Sequence, residues 1–197
     1  MEEELKKIKK EVTQCIKCEL SETRNNSVPG KGNFKSDVIF VGEAPGKNED
    51  MKGEPFIGIA GKKLSFALEN AGINRDDVYI TNIVKCRPPK NRVPTTDERN
   101  TCQNYLEKEI GIIKPKIICI LGNTVFKSLL DGKEIIKFRG KIVRKNNQLY
   151  FLTIHPAATI YNQKLINVLK RDMKKLFRLI KELKNGKEIK IDIEHTS

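Results

Sequence analysis

The chain is poor in histidine, with two residues in 197. It has no tryptophan, and aromatic residues make up only 6%. Imidazole chemistry therefore falls to His155 or His195. No apolar stretch approaches the roughly 18 residues of a membrane span, so no segment reads as a helical anchor. The first residues, Met1-Glu2-Glu3-Glu4, are acidic and unlike a signal peptide, and a cytoplasmic location is expected. Neither common nucleotide-phosphate signature is present. Between Gly42 and Gly46-Lys47 stand three residues where a P-loop has four, Asn48 replaces its Ser or Thr, and Gly-x-Gly-x-x-Gly is absent. There are no internal repeats.

What is abundant is positive charge. Thirty-eight Lys and Arg face 25 Asp and Glu, a formal net charge of +13. A surplus of that size points to a polyanionic partner, nucleic acid first and an anionic membrane surface second. A Lys/Glu-rich composition from a heat-loving source is the plainer alternative, and it explains many charges but not the surplus. The length suits one domain with a substantial core.

Cysteine is the other informative residue. Cys15 and Cys18 form a Cys-x2-Cys pair, with Cys86 and Cys102 as separated singles, and none of the four lies in an apolar run. In a reducing compartment such thiolates bind zinc or an iron–sulfur cluster. Such a site would tie the N-terminus to two distant loops. Cys119, inside Ile117-Ile118-Cys119-Ile120-Leu121, reads as a core residue.

Val38–Val41, Val78–Ile80, Ile117–Leu121 and Tyr150–Ile154 are short apolar runs of the kind buried on both faces in a parallel sheet. Helical pattern covers 2–14, 60–70, 96–110, 123–130 and 160–184, and Ser21–Ser36 reads as loop. The last helix carries an apolar stripe through Ile166, Leu169, Met173, Leu176 and Ile180, with lysines and arginines around it. This alternation predicts a single α/β domain over 1–184, a mostly parallel four-stranded sheet flanked by helices in three layers. The polar segment 185–197 reads as an unstructured tail, with His195 solvated.

In such folds ligands gather at the carboxyl ends of the strands. Three strand ends here carry unusual residues: Gly42-Glu43-Ala44-Pro45-Gly46, Thr81-Asn82 and His155-Pro156. Each has a bland reading. The glycine turn is either a plain strand–helix connection or a set of backbone N–H groups facing a ligand. Phe56, in Gly53-Glu54-Pro55-Phe56-Ile57-Gly58, either caps the core or stacks on a base. Asn82 either closes a turn or reads a base edge with one donor and one acceptor. Lys85, Arg87, Lys90 and Arg92 are either a solvated charge run or contacts to a DNA backbone.

Taken in order, these elements resemble the family 4 uracil-DNA glycosylases, the iron–sulfur branch of the uracil-DNA glycosylase superfamily found in thermophilic archaea and bacteria. The likeness runs from Cys15 to about Gln163. It rests on the Cys-x2-Cys pair, Gly42-Glu43-Ala44-Pro45-Gly46 with Glu49-Asp50, Gly53-x-Pro55-Phe56-x-Gly58, Thr81–Pro89, Cys102, Leu121-Gly122 and His155-Pro156.

The resemblance implies a monofunctional enzyme of base excision repair, which flips uracil out of single- or double-stranded DNA and hydrolyses its glycosidic bond. It implies one structural 4Fe-4S cluster on Cys15, Cys18, Cys86 and Cys102, zinc being the less favoured metal. Backbone groups of Gly42, Glu43 and Ala44 would contact uracil, Phe56 would stack on it, Asn82 would bond its edge, and His155 would donate to its O2. Pro156–Gln163 would enter the minor groove, with the intercalating side chain open between Ile160 and Tyr161. The other major branch orients the attacking water with an acidic residue where this chain has Ala44. Glu43 and Glu49 are the candidates here, and Glu43 is taken.

A monomer is expected; a replication-clamp contact is not readable from the sequence. The competing functions are a glycosylase of broader deaminated-base range and a non-enzymatic, metal-stapled nucleic-acid-binding module. The favoured reading requires the imidazole of His155, the carboxamide of Asn82 and the ring of Phe56 to share one slot.

Overall fold

Short runs of β-branched residues bounded by polar turns form the strands, and the 3.6-residue periodic stretches between them form the helices. The computed structural model describes residues 1–195. It begins with α1 (Glu2–Thr13), α2 (Leu20–Thr23), β1 (Lys31–Gly32) and β2 (Val38–Gly42). Next are α3 (Lys47–Lys52), α4 (Ile59–Glu69), β3 (Tyr79–Asn82), α5 (Thr96–Ile113) and β4 (Ile117–Leu121). The chain continues through α6 (Asn123–Leu130), α7 (Ile135–Phe138), β5 (Ile142–Lys145) and β6 (Gln148–Thr153). It ends with α8 (Ala158–Tyr161), α9 (Leu165–Lys184) and β7 (Ile193–Glu194).

The strands form one sheet in the order β1-β3-β2-β4-β6-β5-β7. The inner four, β3, β2, β4 and β6, pair in parallel and are the strands expected from the sequence. The sheet is nonetheless seven-stranded, not four-stranded. β1 adds an antiparallel edge, β5 pairs antiparallel with β6, and β7 runs parallel to β5 at the other edge. These added strands are short and partly exposed, so they lack the continuous apolar run that marks the inner ones. β5 and β6 meet through Asn146-Asn147, with φ of 49° and 63°, as a two-residue hairpin turn requires.

Alternate residues of each inner strand feed two cores. Ile39 and Val41 pack with Ile8 and Val12 of α1, Leu106 of α5 and Phe126 of α6. Val38 and Phe40 pack on the other face with Leu64 and Leu68 of α4 and Leu169 and Met173 of α9. Cys119 is fully buried there, as expected. The result is three layers, helix on sheet on helix.

Three local expectations change. The 21–36 loop holds β1 and the end of α2. The long C-terminal helix is broken at Asn162, whose φ of −133° is extended. The segment after 184 is no free tail through 195. Ile193 and Glu194 pair with Val143 and Arg144, and Asp192 exchanges hydrogen bonds with Ile142. His195 Nε2 lies 2.9 Å from the Leu130 carbonyl, so this ring is docked, not solvated. Residues 196–197 lie outside the described residues. No helix among the described residues is long and apolar enough to cross a membrane.

The chain steps from β2 to β3 on one side, then crosses to β4 on the other, so a crevice opens at the carboxyl ends of these strands. The β6 end of that crevice is tied to α9 by a buried charge. Asp172 accepts from the Thr153 hydroxyl at 2.7 Å and from Arg139 Nε at 2.9 Å. Asp172→Ala leaves both donors unpaired. It is expected to cost about 3 kcal/mol, because breaking a buried pair strands its partner. The check is the denaturant midpoint, which should fall with the slope m unchanged.

Candidate active site

Gly42 ends β2 beside Asn82, which ends β3 in the same register. A Cβ on Gly42 would lie 2.4 Å from both Asn82 Oδ1 and Phe56 Cζ. The missing side chain is what lets the carboxamide and the ring approach each other. The ring centroid of Phe56 lies 5.9 Å from that of His155, tilted by 39°. The structure therefore brings all three side chains to one place. They line a cavity of about 430 Å³ together with Glu43, Ala44 and Glu49. That volume is within the range of small-molecule sites. Ile160 and Tyr161 stand on its rim, the latter almost fully exposed.

Phe56 takes a left-handed backbone, φ 54°, which a bulky residue adopts only when its surroundings impose it. Arg75 imposes it: Nη2 donates to the carbonyls of Pro55 at 3.1 Å and Phe56 at 2.9 Å, and Nη1 donates to Ser65 Oγ at 2.9 Å. Gly61 of α4 lets the helix touch this turn, since a Cβ there would sit 1.8 Å from the Phe56 oxygen. Glu49 closes the far side by accepting the Gly58 N–H at 2.7 Å. Asp50 accepts the Asn25 N–H at 2.9 Å and so ties in the N-terminal loop. Sequence reasoning missed Arg75 and Gly61; a glycine inside a helical pattern was the available signal.

Asn82 is 1% exposed, and its Oδ1 has no hydrogen-bond partner among the described residues. A buried, unpaired amide oxygen is costly unless a ligand supplies a donor. His155 follows β6 and is half-buried. Gly122, at φ 96°, makes room for it, because a Cβ there would lie 2.9 Å from His155 Cβ. The Ala157 N–H donates to His155 Nδ1 at 3.2 Å, which leaves Nε2 to carry the proton of the neutral ring. Burial holds the imidazole well below its usual 6.5, at about 4. A neutral donor results. Glu43 accepts a hydrogen bond from the Thr124 hydroxyl at the cavity edge.

The basic segment after β3 is corrected in part. Lys85 faces neither solvent nor a DNA backbone; it is 1% exposed and ion-paired with Glu109 at 2.7 Å. Arg92 lines the cavity but is held by both oxygens of Glu98, at 2.8 and 2.6 Å. Arg87 Nε donates to Asn91 Oδ1 at 2.7 Å, and Lys90 is exposed.

Cys15, Cys18, Cys86 and Cys102 line one narrow pocket on the α1–α5 side. No group of three or more Cys, His, Asp or Glu among the described residues already has the spacing of a metal site. The donor set nevertheless suits a thiophilic metal. Arg24 Nη1 donates to Cys86 Sγ at 2.9 Å, and the Lys85 N–H to Cys102 Sγ at 3.2 Å. Such donors stabilise ligated sulfur. Burial pushes the Cys102 thiol up to about 11, so its ionisation needs a neighbouring cation.

Residues 29–181 match the uracil DNA glycosylase superfamily. The chain belongs to that superfamily. It is 46% identical to the type-4 uracil-DNA glycosylase of Sulfurisphaera tokodaii over 89% of this chain and 84% of the relative. For the type-4 enzyme of Thermotoga maritima the figures are 39%, 92% and 97%. A type-5 uracil-DNA glycosylase of Pyrobaculum aerophilum is more distant, 31% identical over 68% of this chain and 67% of the relative. The UDG-type α/β fold expected from the residues is the fold observed.

A folded-state value of about 4 against the usual 6.5 means that the unfolded chain protonates first. The stability contributed by this group therefore rises with pH between those two values and is flat above them. NMR titration of His155 is expected to show a neutral ring at neutral pH and a midpoint near the lower value. A midpoint at the usual 6.5 would contradict a ring held neutral by its surroundings.

Proposed function

We propose that this protein is a uracil-DNA glycosylase, which removes uracil from DNA by hydrolysing the N-glycosidic bond and leaves an abasic site. The observation that carries the reading is the meeting of Phe56, His155 and the unpaired Asn82 amide around one cavity at the strand ends. The similarity to type-4 enzymes supports it.

The glycosidic carbon is out of reach inside the stack, so the nucleotide is flipped out at a cost of a few kcal/mol. Stacking on Phe56 returns about 1–3 kcal/mol. The Asn82 carboxamide accepts from uracil N3–H and donates to O4, and cytosine, with the opposite pattern, leaves those groups unpaired. As the bond breaks, negative charge collects on the uracil oxygens. Nε2–H of His155 donates to O2, an interaction that strengthens in the transition state and so raises the rate. The neutral ring still has this one N–H to donate, because Nδ1 accepts from Ala157. Backbone groups of Gly42, Glu43 and Ala44 hold the base, and Glu43, steadied by Thr124, orients the attacking water. Ile160 or Tyr161, both at the edge of the cavity, would fill the gap left by the flipped base. The net charge of +13 supports salt-sensitive scanning of duplex or single-stranded DNA by a cytoplasmic monomer.

Cys15, Cys18, Cys86 and Cys102 would hold one 4Fe-4S cluster. When bound it would cross-link the N-terminal segment to the loop after β3 and to helix α5, which holds Cys102 where a second loop was expected, and would supply no chemistry of the reaction. Zinc fits the same thiolates, and the two metals are told apart directly. Purified protein is expected to contain iron and sulfide in equal amounts, with broad visible absorption that a closed-shell zinc ion cannot give. Cys102→Ser is expected to lose that absorption and lower the melting temperature.

The decisive assay incubates the protein with matched oligonucleotides carrying uracil, hypoxanthine or thymine, followed by alkali. Scission at uracil alone is expected. Scission at hypoxanthine as well would favour the broader enzyme, and none at any base would favour a binding module. His155→Ala is expected to slow single-turnover release by about 10²–10³-fold with DNA affinity little changed.

A further inference from the structure

Lys85 and Glu109 take no part in the chemistry above, yet among the described ion pairs theirs is the most deeply buried, each side chain 1% exposed. Taking two charges out of water is costly, and an apolar pair of the same size would fill the space without that cost. What an apolar pair lacks is donors and acceptors. Lys85 Nζ donates to Glu109 Oε2 at 2.7 Å, to Thr81 Oγ1 at 2.6 Å and to the backbone carbonyl of Asn82 at 2.9 Å. Glu109 also accepts from the Thr81 hydroxyl at 2.8 Å, the Tyr79 hydroxyl at 3.3 Å and the Gly30 N–H at 3.0 Å. The pair thus grips the last two residues of β3 from below, where the paired register with β2 ends and only the Ile83 N–H to Gly42 and Val84 N–H to Glu43 backbone bonds continue it.

Asn82 needs such a grip. Its Oδ1 has no partner among the described residues, so no hydrogen bond at that atom fixes the direction of the carboxamide. Only the backbone that carries it and the contact over Gly42 can do so. We propose that Lys85, held by Glu109, is a positioning residue for Asn82, fixing the strand end that presents the amide to the base. This rests on the uracil-reading role given to Asn82 above.

Three variants separate positioning from mere stability. Lys85→Met strands the Glu109 carboxylate and is expected to melt early. Lys85→Met/Glu109→Gln removes both charges, which is expected to recover much of that melting temperature while the Asn82 carbonyl still lacks its donor. Glu109→Gln alone weakens the pair but keeps the Lys85–Asn82 bond. In steady-state assays on uracil-containing DNA, the double variant is expected to lose about tenfold or more in kcat with KM little changed. Glu109→Gln is expected to keep most of its kcat at whatever stability it retains. Equal kcat in Glu109→Gln and the double variant would overturn the proposal, whatever their melting temperatures. If the native protein releases no uracil, the proposed function falls instead. The grip is then judged by amide exchange over residues 82–84: faster in the double variant than in Glu109→Gln upholds it, and equal rates end it.

Discussion

The site depends on a side chain that is not there. Parallel pairing sets Gly42 and Asn82 side by side at the ends of adjacent strands, and the ring of Phe56 comes over the same spot. With any Cβ at position 42 the carboxamide and the ring could not both occupy their places. A close-packed interior offers nowhere for the displaced groups to go. The glycine here works through volume, not through an unusual backbone angle. At Gly122 both matter, since φ is positive and His155 lies against it.

Around that contact the protein holds its working residues with buried or half-buried polar groups from several elements. Arg75 clasps the strained turn at Phe56, Glu49 fastens the loop beyond it, Asp172 secures the strand that leads to His155, and Lys85 with Glu109 grips the end of β3. Buried charges of this kind add little net stability compared with apolar packing. They do specify one geometry, because few arrangements satisfy every donor and acceptor. That suits the site as proposed, in which selectivity would rest on the Asn82 amide and rate on a donor aimed by His155.

Much of this was legible in the chain. The four inner strands announce themselves as unbroken apolar runs, since strands buried on both faces have no polar side to show. Their carboxyl ends, with Gly42, Asn82 and His155, were marked by residues out of keeping with the runs before them. The outer strands were not legible: β1 and β7 are two residues each, β5 is apolar only in its first half, and the Asn146-Asn147 turn was the clue to the hairpin. Nor was the role of Lys85. It lies in a basic stretch, Lys85 to Arg92, where composition points to solvent.

Sequence alone determined the parallel core, the excess positive charge, the cysteine set and which residues are chemically suited to a base. Those follow from period and residue type, which neighbouring positions share. Tertiary structure decided which charges are free and which are neutralised, that the C-terminal segment through 195 joins the sheet, and that three separate strand ends converge. Such outcomes depend on partners far along the chain, as with Glu109, 24 residues from Lys85. Burial and pairing between distant residues leave no local pattern to read.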